Sequence, residues 1–239
     1  MATRELVWDG CLNVRDLGGH RTSDSRETRF GAVVRADSVR RLTDEGWQAL
    51  LDYGIRTIVD LRFHEELEAD PPRELPIDVV HIPVFPAPGN PLWRKIDRME
   101  KGAGYLRLLE EGHSRFAEAL AAVGEASEGG VVVHCMVGKD RTGLVAGLLL
   151  RLVGVPIDAI AQDYALSEQR LAPLIERWLA DCDTEEERVH RLHVSGSPPE
   201  AMEAALRGIE ASYGSVEEYL RSGGAPERAL ARVRDRLVA

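Results

Sequence analysis

Cysteine is scarce in this chain. Cys11, Cys135 and Cys182 are the only three in 239 residues. An odd, widely spaced set makes a poor disulfide framework and fits a reducing compartment. No CxxC pair, HExxH or Cys/His cluster occurs, so neither a metal site nor a cofactor is expected. Positive charge is also in deficit. The net charge of -10 argues against general nucleic-acid binding and against attachment to anionic membranes. Long apolar runs are missing as well: the longest, Gly143–Leu150, is too short to span a bilayer and Arg151 follows it. The opening MATRELVWDG shows no basic-then-apolar leader. Together these absences predict a cytoplasmic protein without an integral membrane segment. Hydrophobic content of 44% and charged content of 29% are ordinary for a globular chain. The length suits a single domain over residues 1–239 with one sizeable core.

The informative stretch is Val131–Gly143, VVVHCMVGKDRTG. Three β-branched valines predict a buried strand, the small residues after Cys135 a tight loop, and Leu144–Val155 a helix. Such a loop suits a phosphate ester. The backbone N–H groups of Met136, Val137 and Gly138 and the helix N-terminus would bind oxyanions, Arg141 would grip two of them, and Cys135 would lie beneath the phosphorus. In a protein of this net charge the site must be locally positive. A helix N-terminus, nearby Arg141 and a hydroxyl bond from Thr142 would all favour the thiolate. Its attack would give a cysteinyl-phosphate that water hydrolyses. Gly138 lets the loop turn without a Cβ in the way.

A leaving oxygen needs a proton donor. No Asp lies between Asp97 and Cys135, so Asp140, inside the loop, is the first candidate. Asp97, in a Pro- and Gly-rich segment over residues 86–104, is the second, and Asp60 at the end of a strand the third. Lys139 is a second fixed cation, suited to a second phosphate or to neutralising Asp140.

Around the loop the pattern predicts an α/β fold: a central, mostly parallel sheet flanked by helices, with a helical C-terminal part. Phe30–Ser38 reads as a short strand running into a loop, and Ile55–Arg62 and Val79–Phe85 read as buried strands. Thr43 reads as the N-cap of a helix ending before Gly54. Tyr105–Ala126 reads as one helix, another starts at Ala159, and His190–Pro199 reads as a loop. Met202, Leu206, Ile209 and Tyr213 share a helix face, Ser215 and Glu218 form a capping-box pattern, and Leu230, Val233 and Leu237 line a last helix.

His134-Cys135-Met136-Val137-Gly138-Lys139-Asp140-Arg141-Thr142 resembles the HCxxGxxR[ST] signature of the cysteine-dependent protein tyrosine phosphatase superfamily. With NVRDLGG from Asn13, RADSVRRLT from Arg35 and GIRTIVDLR from Gly54, the chain is similar to bacterial tyrosine phosphatases of the mycobacterial secreted type. The resemblance implies a metal-independent protein-tyrosine phosphatase, dual-specificity in some members, whose substrate is a phosphorylated protein or a phosphoinositide. It implies Cys135 as nucleophile, Arg141 as clamp, Asp140 as acid and Lys139 as the loop lysine. It also implies a helical lid, to which either Ala159–Trp178 or residues 86–104 would correspond.

Other conspicuous residues have plainer readings. Cys11 and Cys182 are expected as small hydrophobes and His134 as a loop support. Arg15 and Asp16 have two readings, a structural ion pair beside the Gly18 turn, which is preferred, or contact with substrate, and Asp60 with Arg62 has the same two. Arg35 and Arg40 are expected in structural or surface roles, Glu185–Glu187 as a solvated helix start, and Leu174 with Trp178 as core.

Overall fold

Val131, Val132 and Val133 form the middle of the central strand and face its two sides alternately. Both sides of the sheet are therefore apolar, and both are covered. The computed structural model of the chain describes residues 3–71, 73 and 76–238. Its elements begin with β1 (Arg15–Asp16), β2 (Val33–Ala36), α1 (Asp44–Asp52), β3 (Ile55–Asp60), α2 (His64–Ala69) and β4 (Asp78–His81). Next come α3 (Trp93–Ile96), α4 (Lys101–Glu111), α5 (His113–Glu125), β5 (Gly130–His134) and α6 (Asp140–Leu152). The chain closes with α7 (Ile157–Ala180), α8 (Glu185–Ser195), α9 (Pro199–Tyr213), α10 (Val216–Ser222) and α11 (Glu227–Leu237).

The strand order is β1-β2-β5-β3-β4, with β1 antiparallel to β2 and every other neighbour parallel. This is the mostly parallel, helix-flanked sheet expected. On one face Val59, Val131 and Val133 meet α5, α6, α9 and α11. On the other, Val34, Ile58 and Val132 meet Trp47 and Leu50 of α1. The C-terminal ends of the parallel strands share one edge, and the loop after β5 opens there.

Local signals mostly hold. Thr43 accepts from Gly46 N at 3.2 Å, and Gly54 follows α1 with φ +92°. Ser215 caps α10 through Glu218 N, but the Glu218 side chain turns to Arg221 instead of closing the box. Four expectations need correction. The strand expected over Val79–Phe85 is regular only over Asp78–His81, and that part is not buried, whereas Ile82 and Val84 beyond it are. It bonds to β3 alone, as an edge strand, leaving Val79 43% and Val80 36% exposed. The single helix expected over Tyr105–Ala126 is two, because Gly112 lies against the backbone of the segment after β4: a Cβ there would meet Val84 O at 2.4 Å. His190–Pro199 is largely helix, since α8 continues to Ser195. Trp178 is 41% exposed, not core, because α7 runs on through Pro173 beyond the body of the sheet.

Gly112→Ala should therefore cost about 1–3 kcal/mol, as overpacking against fixed backbone does. Urea unfolding monitored by circular dichroism would measure it.

Candidate active site

The loop between β5 and α6 is held from outside by its carbonyl groups. Met136 O accepts from Ser38 N at 3.1 Å, and Val137 O from Asn13 Nδ2 at 3.1 Å. Gly138 O accepts from Asn13 Nδ2 and Arg35 Nη2, both at 3.0 Å. In a planar trans peptide the N–H opposes the C=O. Outward carbonyls at 136, 137 and 138 thus turn the N–H groups of Val137, Gly138 and Lys139 inward. Among the described residues none of these three N–H groups has a protein acceptor. Gly138 permits the turn: its φ is +68°, and a Cβ would meet Ala36 O at 2.5 Å. The first turn of α6 adds its own N-terminal dipole. Cys135, which leads from β5 into this loop, is 1% exposed and close enough to Arg141 for their charges to interact.

The outer supports are themselves buried and linked. Asp37 accepts from Leu12 N and Asn13 N, and so carries the segment that places Asn13. Arg15 donates to Asn13 Oδ1 at 2.6 Å and pairs with Asp163 at 3.1 Å. Arg35 pairs with the same Asp163 at 2.8 Å. Burial raises the Asp163 carboxyl, but the two guanidinium groups outweigh it and hold the group well below the usual range. Arg15 thus pairs with Asp163 and not with Asp16, whose carboxylate accepts from Gly18 N, Gly31 N and Tyr53 Oη. Arg40 lies 3.5 Å from Asp70. His134 is buried, its Nδ1 3.1 Å from Cys135 O and its Nε2 3.6 Å from Asp60. The hydroxyl of Thr142 is buried and makes no hydrogen bond among the described residues, so the expected bond to Cys135 is not formed. Cys11 and Cys182 carry free thiols, and Cys11 donates to Ser38 O. Burial pushes the Cys11 thiol up.

Arg141 shows how a clamp is aimed. Its Nη1 and Nη2 both donate to the Glu66 carboxylate, the second at 3.0 Å, and Nη1 lies 3.4 Å from Leu61 O. The guanidinium lies 4.5 Å above the Phe63 ring. Nε has no protein acceptor among the described residues, so its N–H and the second hydrogen of Nη2, on the same edge, remain as a planar two-donor fork. Burial opposes the Arg141 charge, but Cys135 and Glu66 outweigh it and raise the group further. Glu66 also accepts from Phe63 N at 2.7 Å, closing the first turn of α2. Sequence reasoning missed Glu66, Phe63 and Asn13. The spacing of Phe63 and Glu66, three residues apart after DLR, was a signal for the first two.

The three carboxyl candidates separate in space. Asp140 begins α6, accepts from Tyr105 Oη and lies 3.4 Å from Lys139 Nζ. Asp97 ends α3, exposed, and lines the same cavity of about 290 Å³ as Asp140, Arg141, Phe63, Trp93 and Tyr105. Asp60 is buried against Arg62, 2.8 Å from Nη2, and His134 and Arg62 lower its carboxyl despite burial. It is therefore held ionised, which does not suit a proton donor. Lys139 does not point into the cup. Its ammonium donates to Val194 O, Ser195 O and Gly196 O at the end of α8, beside Lys101, which donates to His193 O, Val194 O and Gly196 O. Burial and Lys139 lower Lys101 to about 8. The wall over the site is thus α8, with Trp93 and Asp97 of the 86–104 segment opposite. The far half of α7 with α8 encloses a second, mostly apolar cavity of about 580 Å³ that touches Val137 and Asp140.

Residues 6–239 match a family described as the tyrosine phosphatase family. A tyrosine-protein phosphatase of Nostoc commune is 30% identical, aligned over 86% of this chain and 74% of its own length. A putative tyrosine-protein phosphatase of Cupriavidus necator is 29% identical over 91% and 83%. The triple specificity protein phosphatase PtpB of Mycobacterium tuberculosis is 28% identical, covering 98% of each chain.

Glu66→Gln keeps the size and one acceptor but removes the charge that aims Arg141. Inorganic phosphate or vanadate should then bind about ten-fold more weakly, the scale of one charge-assisted bond. Competitive inhibition constants would measure this, and unchanged constants would contradict the aiming role.

Proposed function

The chain belongs to the tyrosine phosphatase family, and from that premise we propose how its residues carry out the hydrolysis. The enzyme is a protein-tyrosine phosphatase of the cysteine-dependent type. In our reading a phosphate monoester enters the cup and takes the inward N–H groups of Val137, Gly138 and Lys139 and the free edge of Arg141. Cys135 Sγ attacks the phosphorus. As the S–P bond forms, the ester P–O bond breaks and its electron pair goes to the leaving oxygen, which takes a proton from Asp140. Water then attacks the phosphorus and gives a proton to the Asp140 carboxylate, the S–P bond breaks with its electron pair returning to Cys135 Sγ, and phosphate leaves. The observation that carries this reading is the set of outward-tied carbonyls next to a buried cysteine, because it leaves three N–H donors with no acceptor among the described residues.

The aromatic wall of Phe63, Trp93 and Tyr105 beside Arg141 supports a phosphotyrosine ring as the preferred group. The triple specificity of the mycobacterial relative PtpB supports some breadth beyond it. Lys139 gives no support to a phosphoinositide preference, since its ammonium is bonded to the end of α8. Asp140 is the acid we favour over Asp97, because it stands in the first turn next to the clamp. The three unpaired cysteines favour a reducing compartment such as the cytoplasm. Among the described residues no helix is long and apolar enough to cross a membrane.

Cys135→Ser should abolish turnover of a phosphotyrosine peptide to below about a thousandth while preserving its binding. Faster residual turnover would contradict covalent catalysis at this residue. Asp140→Asn should slow poor leaving groups about a hundred-fold and good ones far less, whereas Asp97→Asn should show no such dependence. The reverse pattern would move the acid to α3. EDTA should leave activity intact and vanadate should inhibit; loss with EDTA would require a metal.

A further inference from the structure

Two tyrosines stand behind Asp140, and their hydroxyl groups have no part in the reading above. Tyr105, on α4, donates its hydroxyl to Asp140 Oδ1, and Tyr164, on α7, has its hydroxyl 2.6 Å from that of Tyr105. The rings meet edge to face at 6.0 Å, and both are buried. We propose that Tyr164 and Tyr105 form a directed hydrogen-bond chain that positions Asp140 and assigns its oxygens: Oδ1 as a fixed acceptor, Oδ2 as the oxygen carrying the transferable proton. The inference rests on the reading of Asp140 as the general acid.

The direction follows from counting hydrogens. An ionised carboxylate can only accept, and each phenol has a single hydrogen. Tyr105 gives its hydrogen to Asp140, so its lone pair must receive that of Tyr164. Oδ1 then holds the Tyr105 hydroxyl and lies 3.4 Å from the Lys139 ammonium. A proton placed on Oδ1 would face both donors, whereas Oδ2 faces neither, so protonation falls on Oδ2. The Asp140 side chain is 33% exposed, which leaves that oxygen open to a leaving group. Both phenols stay protonated at working pH: burial pushes each well above its ordinary range, and the charge of Asp140 adds to it.

The chain is also held in place sterically. Gly143, one turn into α6, makes room for Tyr164, since a Cβ at that position would stand 3.0 Å from its ring. Tyr105 is anchored from the α4 side, one turn beyond Lys101. The charged and titratable groups that bear on Asp140 are Lys139 of the loop, Arg141 of α6 and Lys101 of α4, with Asp97, His190 and His193 along the same cavity.

The test is Tyr105→Phe, assayed with phenyl phosphate as the poor leaving group and p-nitrophenyl phosphate as the good one. Without the Tyr105 donor the Asp140 carboxylate loses a hydrogen bond that favours its charged form. The basic limb of the kcat profile should therefore move to higher pH. At the optimum, kcat for phenyl phosphate should fall about ten-fold and for p-nitrophenyl phosphate less than about two-fold, with both KM values unchanged. Tyr164→Phe leaves the direct bond in place and should move the limb the same way by less, so it serves if the first variant folds poorly. An equal loss on both substrates with an unmoved limb would overturn the inference, as would no change. If Asp140→Asn still slows phenyl phosphate in that case, only the positioning role fails. If Asp140→Asn spares phenyl phosphate, the acid assignment fails and takes the inference with it.

Discussion

Asp163 lies fully buried on α7 between the guanidinium groups of Arg15 and Arg35. Three charges out of water are tolerable only when each is met at hydrogen-bond distance, and here they are. The consequence reaches the catalytic cup in two steps. Arg35 donates directly to Gly138 O, and Arg15 orients Asn13, which donates to Val137 O and Gly138 O. Removing the carboxylate would leave two buried cations repelling each other, and the loop carbonyls would lose the partners that turn them outward. The phosphate site is therefore built from the N-terminal segment, β2, α7 and the loop together, although the loop alone carries the recognisable motif.

How far the sequence revealed this depended on the range of the interactions. Cys135, Gly138 and Arg141 sit within one strand-loop-helix unit, so spacing alone placed them. The valine alternation and the Thr43 cap are equally local, and both were legible. Partnerships across the sheet were not. Arg15 stands next to Asp16 in the chain, yet its partner is Asp163, 148 positions away, and nothing in a single sequence marks that pairing. Lys139 was legible as a cation but not in its direction, because its acceptors belong to the end of α8, a region whose polar, weakly patterned sequence reads as loop. Tyr105 was hidden inside what looks like an ordinary amphipathic helix.

The division of Arg141 into two edges illustrates a common design need. A lone guanidinium on a flexible stem would lose rotamer freedom on each binding event. Glu66 and Leu61 O hold one edge in advance, and Phe63 holds the plane. The fork proposed to meet substrate is thus preorganised, as a transition-state binding group should be. The same glutamate offsets the charge of the arginine, so that rigidity is gained at the expense of net positive potential.

The two lysines at the end of α8 complete that picture. Lys101 and Lys139 have their ammonium groups turned toward helix carbonyls, and Arg141 faces a carboxylate. In a protein of net charge -10 the cup thus projects little attractive field into solvent, and anion recognition happens at contact, through backbone dipoles and one guanidinium edge. The cup would then not steer substrate toward itself, and the ordinary phosphate of the cell would not be drawn in from a distance to occupy the site.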